Sequence, residues 1–367
     1  NKTFGSHSVP EGWLIAAAGN PPEYNKSVRE FDIVTLDRVR RMDIEADLDV
    51  WMEYAWKKEI HGSILAYLGM KKDHFYSVEN TVDGKFFVTA RGWEDLSEIL
   101  KAYEELGVEI TENLIGEYLC RDEIARSFFA SYQLYRKYGE DYGLKRLLSG
   151  EMAEEEQQKK VKMAEGASFE ERFLVTGLLL SGLNGSFLDY EKLDKETGAV
   201  YQELLHLKAF LHDKKDMTAL DEFTDVKKKS LAVRLEAELL NLEQQTTEEF
   251  VIRTLEEFSL TIRKEHITDT ETGFERIRQL FTEMVEKRKD CAKKISRELE
   301  RAFAFMKACF GDGQETVLFV TGLTRNSHVA AFIREYGCDP YFACSEKLLY
   351  RKQEKKLQEE CESLLKI

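Results

Sequence analysis

The segment WLIAAAGNPPEYNKSVREFDIVTLDRVRRMDIEAD, residues Trp13–Asp47, decides how the chain is interpreted. Its first part, Trp13–Ala18, is an apolar run with the length of a fully buried strand, and it stops at Gly19. Asn20 and two prolines follow directly. Because open α/β sheets bind ligands at the carboxyl ends of their strands, this pattern predicts a polar amide at an edge where a ligand would lie.

Two arginine motifs come after this expected strand. Arg38, Arg40 and Arg41 precede an acidic stretch within the same segment. The second motif, GKFFVTARGWEDLSEIL at residues Gly84–Leu100, carries Arg91 at the expected start of a helix. In their order and spacing the three elements resemble the MoxR-like branch of the AAA+ ATPases, and three matches in order are more specific than one motif alone.

The resemblance implies a role for each of these side chains. The family's asparagine at the position of Asn20 is sensor 1, which helps to position the attacking water. The family's arginine at Arg38 is the finger inserted into a neighbour's site, and Arg40 or Arg41 stays open as the true finger. The family's arginine at Arg91 is sensor 2. The resemblance therefore implies that Asn20 and Arg38 are catalytic and that Arg91 contacts the bound nucleotide.

Each of these side chains also has a purely structural interpretation. Asparagine before proline, as at Asn20, is a common turn residue. Arg38 could form an ion pair with Asp37 or Asp43, and Arg91 could pair with an acidic neighbour on its own helix. The functional interpretation is favoured because a planar, permanently charged guanidinium is the group that stabilises developing phosphoryl charge.

The phosphate-binding parts of such an ATPase do not occur in this sequence. It contains no G-x-x-x-x-G-K-[ST] loop to cradle phosphates, and no apolar strand ending in Asp-Glu to hold magnesium. In the family both lie upstream of the position at which this chain starts. We therefore expect the carboxyl-terminal portion of a longer ATPase that uses ATP and Mg²⁺. The chain alone is expected to bind no cofactor and to hydrolyse nothing.

The resemblance also implies partners and a cellular role. Members of the family are chaperone-like factors that use ATP to remodel or assemble other proteins. They act as rings, so self-association into a hexamer is expected for the full-length parent. They often act beside proteins that carry a von Willebrand factor A domain, and such a protein is the expected partner.

Composition argues against several other classes of protein. The net charge of −15 disfavours binding to nucleic acid or to an anionic membrane. No apolar run has the length of a membrane span and no signal peptide is visible, so a cytoplasmic protein is expected. The six cysteines lack the spacing of a zinc site and the seven histidines contain no H-x-x-x-H pair, so no metal site is expected.

The expected fold is mainly α, because the chain has only four prolines to interrupt its helices. Residues 1–46 are expected to be a remnant of the α/β AAA+ core, and residues 47–110 its helical lid. A helical domain over residues 111–230 and an antiparallel helical hairpin over residues 231–310 follow. Residues 311–367 are expected to form a small α/β element with a terminal helix.

Periodicity predicts particular elements within the lid. A single helix is expected over Leu48–Leu68, where large apolar side chains recur at helical spacing. A short extended piece over Phe86–Thr89 and a helix over Gly92–Leu106 should follow, closed by Gly107.

Other elements are predicted beyond the lid. Phe173–Leu188 should be a buried core helix, and the arms of the hairpin should meet in a turn at His266–Gly273. The run ETVLFVTGL, residues 315–323, reads as a strand that pairs with the amino-terminal strand or with the lid strand. An exposed terminal helix is expected over Glu346–Leu365. The first arm of the hairpin is expected to bury a seam of leucines, Leu231, Leu235, Leu239 and Leu242.

Two classes of function stay open. The first is an ATP-driven remodelling machine to which this chain contributes sensor 1, the finger, sensor 2 and partner-binding helices. The second is a non-catalytic helical interaction or scaffold module, in which the region from Thr111 onward recruits partners. A phosphate loop and an Asp-Glu strand upstream would favour the machine, and their absence would favour the module.

Overall fold

The structure is a computed structural model that describes residues 3–4, 7–10, 12–19, 33–81, 84–212, 214 and 216–348. Contacts divide the chain into two compact units, Asn1–Ala46 and Asp47–Ile367. Helices dominate the described residues, which confirms the expectation of a mainly α protein. Strands occur in this part of the chain only as two short antiparallel hairpins. None of the described helices combines the length and the apolarity that crossing a membrane requires.

The first unit has little regular structure in its described residues. Strands β1 (Thr3–Phe4) and β2 (His7–Ser8) form an antiparallel hairpin, and helix α1 covers Ile33–Leu36. The prediction of a buried strand over Trp13–Ala18 is wrong, because this run carries no regular secondary structure and Leu14 is 89% exposed. A buried strand needs neighbouring strands to bond its backbone groups, and none pairs with this run in the described residues.

The second unit is built from two long helices and shorter helices packed around them. Its first part comprises α2 (Leu48–Lys57), α3 (Gly62–Met70), β3 (Ser77–Thr81), β4 (Gly84–Val88), α4 (Ala90–Leu106), α5 (Glu112–Tyr118), α6 (Asp122–Tyr142), α7 (Leu144–Ser149) and α8 (Glu154–Glu165). Its second part comprises α9 (Phe169–Leu211), α10 (Ala219–Glu236), α11 (Leu242–Lys264), α12 (Thr270–Phe310), α13 (Gln314–Arg325) and α14 (Ser327–Tyr336). Strands β3 and β4 pair in antiparallel fashion, one turn of 3-10 helix covers Lys72–His74, and residues 339–348 are helical.

Two apolar cores share the long helices α9 and α12, which lie side by side in antiparallel directions. Asp194 of α9 contacts Arg288 of α12, and Tyr201 of α9 contacts Phe281 of α12. Residue numbers therefore increase along α9 while those of the facing residues on α12 decrease. The larger core, named the body, collects α2 to α8, the first half of α9, the second half of α12, α13 and α14. The smaller core, named the head, collects the remaining parts of α9 and α12 with α10 and α11.

Most elements expected within residues 47–110 are present. Strand β4 and helix α4 lie where the extended piece and the helix were expected, and α4 ends at Gly107, whose φ of 66° is left-handed. The single helix expected over Leu48–Leu68 is instead broken between α2 and α3. The break arises because the side chain of His61 caps α3 by accepting a hydrogen bond from the backbone N–H of Ser63.

The buried helix expected at Phe173–Leu188 is confirmed as part of the first half of α9. The turn between the arms of the hairpin is also confirmed, since α11 ends at Lys264 and α12 begins at Thr270.

The expected leucine seam of the first hairpin arm is wrong. Helix α10 ends at Glu236 and α11 begins at Leu242, so no single helix presents the four leucines on one face. Leu239 and Leu242 are 68% and 76% exposed. The chain restarts at Asn241, whose side chain accepts a hydrogen bond from the Gln244 N–H while the Gln244 side chain accepts one from the Asn241 N–H. This capping box starts a new helix within the run.

The expected small α/β element after residue 310 is also wrong. The run predicted to be a strand is helix α13, and residues 314–336 are helical except for the junction at Asn326. The buried side chains of α13 include Thr316, Phe319 and Leu323, whose spacing follows one helical face. A short apolar run fits a buried helix as well as a strand, and only packing decides between them. Residues 349–367, which include most of the expected terminal helix, lie outside the described residues.

Close packing between α3 and α9 depends on Gly177. A Cβ atom at this position would lie 2.7 Å from the Cβ of Ala66, whereas a Cβ at Gly185 on the same helix would meet nothing within 4 Å. Gly177→Ala is therefore expected to lower the free energy of unfolding by about 1–3 kcal/mol, the usual cost of overpacking. Gly185→Ala should leave it unchanged or raise it slightly. Urea denaturation followed by circular dichroism measures both, and equal midpoints for the two variants would contradict the packing.

Candidate functional site

Arg91 lies in the first turn of α4, directly after strand β4. The helix begins there because Thr89 has extended backbone angles and its hydroxyl accepts a hydrogen bond of 3.2 Å from the Gly92 N–H. Arg91 itself is exposed. The position predicted for this arginine, at the start of the helix, is therefore confirmed.

The two residues after Arg91 fix the helix start in place. A Cβ atom on Gly92 would lie 2.8 Å from the backbone oxygen of Tyr118, so glycine is what lets α5 approach α4 this closely. Trp93 has no exposed surface, and its indole N–H donates a 3.1 Å hydrogen bond to the carbonyl of Phe75. The side chain of Arg91 is thus exposed, while the backbone that carries it is fixed by the buried contacts of Gly92 and Trp93.

Arg91 makes no ion pair or hydrogen bond with any other described residue. Its nearest acidic neighbours along the helix are Glu94 and Asp95, but Glu94 instead accepts a 2.7 Å hydrogen bond from the hydroxyl of Tyr54. This hydrogen bond is the main reason that the pKa of Tyr54 is raised to about 12, with burial and the charge of Glu94 adding to it. The structural interpretation of Arg91 as a surface salt bridge is therefore not realised.

The charge of Arg91 is placed against the helix dipole. The first turn of a helix carries a partial positive charge and unpaired N–H groups, which favour anions and disfavour cations. Thr89, Gly92 and Trp93 fix the backbone that carries this arginine, and the first turn of α4 contains no acidic residue. An anionic group bound at this point would bond Arg91 and reduce the local repulsion as well.

Arg38 lies in a turn after α1 in the first unit and is exposed. Among the three clustered arginines, Arg41 donates a 2.8 Å hydrogen bond to Asp43, and both side chains of this pair are exposed. Neither Arg38 nor Arg40 forms an ion pair with another described residue. Among the described residues, therefore, only Arg41 of these three arginines has an ion-pair partner. Asn20 lies outside the described residues.

Large apolar side chains of the first unit are exposed to solvent. The exposed fraction ranges from 47% for Val39 to 91% for Ile44. The exposed set is Trp13, Leu14, Ile15, Ile33, Val34, Val39, Met42 and Ile44. Large exposed apolar patches are typical of surfaces that bind another protein or a membrane.

A Ser-His-Glu arrangement in the body has the composition of a catalytic triad but lacks access. The Nδ1 of His61 is 2.7 Å from the Ser63 hydroxyl, and its Nε2 is 3.1 Å from a carboxylate oxygen of Glu104. Glu104 also accepts a 2.8 Å hydrogen bond from Tyr132. Ser63 is only 1% exposed, so no substrate reaches its hydroxyl. These contacts tie α3, α4 and α6 together, and sequence spacing gave no signal for them.

The remaining described residues offer no second chemical centre. They contain no group of three or more His, Cys, Asp or Glu side chains placed to hold a metal ion. No protein-family model, curated protein or solved structure matches the chain. Arg91 and Arg38, each exposed and without a described partner, are therefore the side chains from which a function is inferred.

Proposed function

We propose that this chain is the carboxyl-terminal part of a MoxR-like AAA+ ATPase that remodels or assembles other proteins. Asn20 would act as sensor 1, Arg38 as the finger that enters a neighbour's site, and Arg91 as sensor 2. The phosphate loop and the magnesium-binding carboxylates belong to preceding residues of the full-length protein in this proposal. ATP and Mg²⁺ are its cofactors.

The observation that carries the proposal is the unpaired Arg91 at the beginning of α4. A cation in the first turn does not stabilise the helix, and no described acidic residue forms an ion pair with Arg91. A γ-phosphate is negatively charged, and its oxygen atoms can accept hydrogen bonds from both the guanidinium and the N–H groups of the first helical turn. Trp93 anchors α4 in the body. A movement of Arg91 toward a bound phosphate would therefore move α4 and the body with it.

The exposed apolar side chains of the first unit support the same proposal. In the proposed full-length protein, preceding residues of the AAA+ core would cover these side chains. Leu14, at 89% exposed, and Ile44, at 91%, would then be buried by the neighbouring strands and helices of the complete core. Burial of each such side chain is worth roughly 1.5–3 kcal/mol, which is a strong driving force for completing the domain.

The proposal includes a hexameric ring and a partner that carries a von Willebrand factor A domain. A ring is required because a finger acts on a neighbour's nucleotide and a closed, head-to-tail arrangement gives every site one finger. The proposal also includes a cytoplasmic location. It includes no binding to nucleic acid or membrane, which agrees with the net charge of −15.

A second candidate is a helical interaction or scaffold module without catalysis. The observation that favours it is the amount of helical structure beyond the lid, from α5 to α14, that contains no cluster able to hold a metal among its described residues. In this case the beginning of α4 would be only a surface, and ATP would have no effect on the full-length protein.

Substitution of Arg91 separates the two candidates. In the full-length protein, Arg91→Ala should lower ATP affinity or turnover about 10- to 100-fold, the effect of losing a hydrogen bond between charged groups. Arg297→Ala is the matched control, because Arg297 is also exposed and has no described partner but lies on α12. Calorimetric titration with Mg-ATP and a phosphate-release assay measure both quantities.

Arg91→Ala should leave the melting temperature of the nucleotide-free protein unchanged or raise it slightly, because the arginine bonds no other described residue and the helix dipole disfavours a cation there. Equal ATP affinity and turnover in Arg91→Ala, Arg297→Ala and the wild type would contradict the sensor role. Absence of any ATP binding by the full-length wild type would favour the scaffold module.

A further inference from the structure

A segment without a buried apolar side chain separates the body from the head. On α9 the last buried residue of the body core is Tyr190 and the first of the head core is Val200. On α12 the head core ends at Ile277 and the body core begins at Ala292. Residues 191–198 of α9 and 285–291 of α12 lie between them and are named the neck. No apolar side chain of the neck is buried. The apolar side chains of the neck, Leu193, Val285 and Cys291, are only half-buried, so the neck lacks the fully buried apolar layer that each core contains.

Ion pairs take the place of apolar packing on one side of the neck. Glu191 lies 2.6 Å from the Nδ1 of His328, at the start of α14 in the body. Lys195, one turn further along α9, lies 2.8 Å from Glu191 and 2.5 Å from Glu243 at the start of α11 in the head. A chain of polar contacts, with charged groups at Glu191, Lys195 and Glu243, therefore runs from the body through the neck to the head.

A second set of contacts crosses between α12, α9 and α14. The guanidinium of Arg288 donates hydrogen bonds to Asp194 on the facing helix and, at 3.0 Å, to Glu335 of the body. The same guanidinium lies 5.5 Å from the ring centre of Tyr190, the last buried residue of the body on α9. Arg288 thus fixes the direction in which α12 leaves the body.

The helix α9 is locally weakened within the neck. Gly198 lies inside this helix, and a Cβ atom there would meet nothing within 4 Å, so close packing does not explain the glycine. Glycine lowers the stability of a helix interior relative to alanine. The neighbouring Thr197 donates its hydroxyl to the carbonyl of Leu193 at 2.7 Å, a contact that favours bending of helices.

We propose that the neck is a hinge about which the head tilts relative to the body, and that the ion pairs of Glu191, Lys195 and Arg288 hold the head in the orientation seen here. Both flanking cores would move as rigid bodies while α9 bends at Gly198. The inference rests on the neck alone and does not depend on the proposed ATPase function. The hinge allows the head to change its orientation relative to the body.

The contacts of the neck indicate how the hinge responds to solvent. Lys195 is 47% exposed and Glu243 is 65% exposed, so dissolved ions screen their attraction. The apolar cores of the body and the head are not weakened by salt in this way. Raising the ionic strength should therefore release the head without unfolding either core.

The test measures the distance between head and body. Nitroxide labels are attached to p-acetylphenylalanine at Lys137 of the body and Lys229 of the head, which are both exposed. A reference pair at Lys137 and Glu105 lies within the body. Pulsed electron spin resonance on the whole chain then gives the two distance distributions. The labels leave the native cysteines unchanged.

The head-to-body distribution is expected to be clearly broader than the reference within the body. It should broaden further between roughly 0.05 M and roughly 1 M NaCl, since the Debye length falls to about 3 Å. Gly198→Ala should narrow it and slow amide exchange around residue 198 by about two- to five-fold. Gly185→Ala gives α9 the same gain in helix propensity inside the body, and should leave the head-to-body width unchanged.

Arg288→Met should broaden the distribution, and circular dichroism checks that the variant is folded. The hinge is overturned if the wild-type head-to-body distribution is as narrow as the reference at both salt concentrations. It is also overturned if Gly198→Ala and Gly185→Ala change the width equally, because the weak point would then not lie in the neck.

Discussion

Replacing Trp93 by alanine should lower the free energy of unfolding by about 3–5 kcal/mol, the range for removal of a buried aromatic side chain. Trp93 has no exposed surface. Its ring packs edge-on against Phe128, with 5.3 Å between ring centres, and in a tilted arrangement against Tyr67, with 5.9 Å between ring centres. Its loss leaves a cavity among helices α3, α4 and α6 and an unpaired carbonyl at Phe75. The beginning of α4, with Arg91, then loses its anchor.

Trp93→Phe is the matched control for this variant. Phenylalanine keeps an aromatic ring in the core but cannot donate to the Phe75 carbonyl, so it should cost less, about 1–3 kcal/mol. Urea denaturation, followed by circular dichroism, gives both values from the shift of the midpoint. A midpoint for Trp93→Ala equal to that of the wild type would show that this core does not hold α4.

Arg38→Ala should reduce ATP turnover of the full-length protein by about a thousandfold or more, while nucleotide affinity stays nearly constant. A finger from a neighbouring subunit acts on charge that develops in the transition state, and ground-state binding does not require it. Asn20→Ala should behave in the same way. A phosphate-release assay and calorimetric titration with Mg-ATP separate turnover from affinity.

Arg41→Ala is the control for Arg38→Ala, because Arg41 already pairs with Asp43. It should retain most of the turnover. If Arg38→Ala is fully active, Arg40 is the next arginine to replace, since it too has no described partner. Unfolding of Arg38→Ala, seen by circular dichroism, would support a structural role for this residue.

Local signals in the sequence were sufficient where they acted within one helix. Gly107 ends α4 as expected, and the helix begins at Ala90, two residues before the expected start, because Thr89 caps it. Asn326 likewise caps α14 by accepting from two backbone N–H groups. A cap needs only its own neighbours in the chain, so its effect can be read without knowledge of the tertiary structure.

Errors occurred where the outcome depends on distant neighbours. The run over residues 315–323 became helix α13 because Phe319 packs against Phe303 of α12, with ring centres 5.2 Å apart. Leu239 failed to join a buried seam because the capping box at Asn241 starts a new helix after it. Apolar content alone does not specify which partner covers a segment, so it predicts burial better than it predicts the type of element.

The candidate site was predictable in position but not in its electrostatics. The sequence placed Arg91 at the start of a helix, yet the bond that occupies Glu94 comes from Tyr54 on another helix. In the same way, the pair between Arg41 and Asp43 was one of several possible pairs. The contacts of the neck join residues that are distant in the chain, such as Glu191 and His328, and no local pattern indicates them.

Mixing two inactive forms of the full-length protein tests the central claim most directly. One form carries Arg38→Ala, and the other carries alanine in place of the phosphate-loop lysine expected upstream. Each alone should turn over ATP at background rate. In mixed rings about a quarter of the sites combine an intact loop with an intact Arg38 from the neighbour, so an equal mixture should recover about a quarter of wild-type turnover. Turnover that stays at background after mixing, with mixed rings confirmed by pull-down, would contradict a finger acting between subunits.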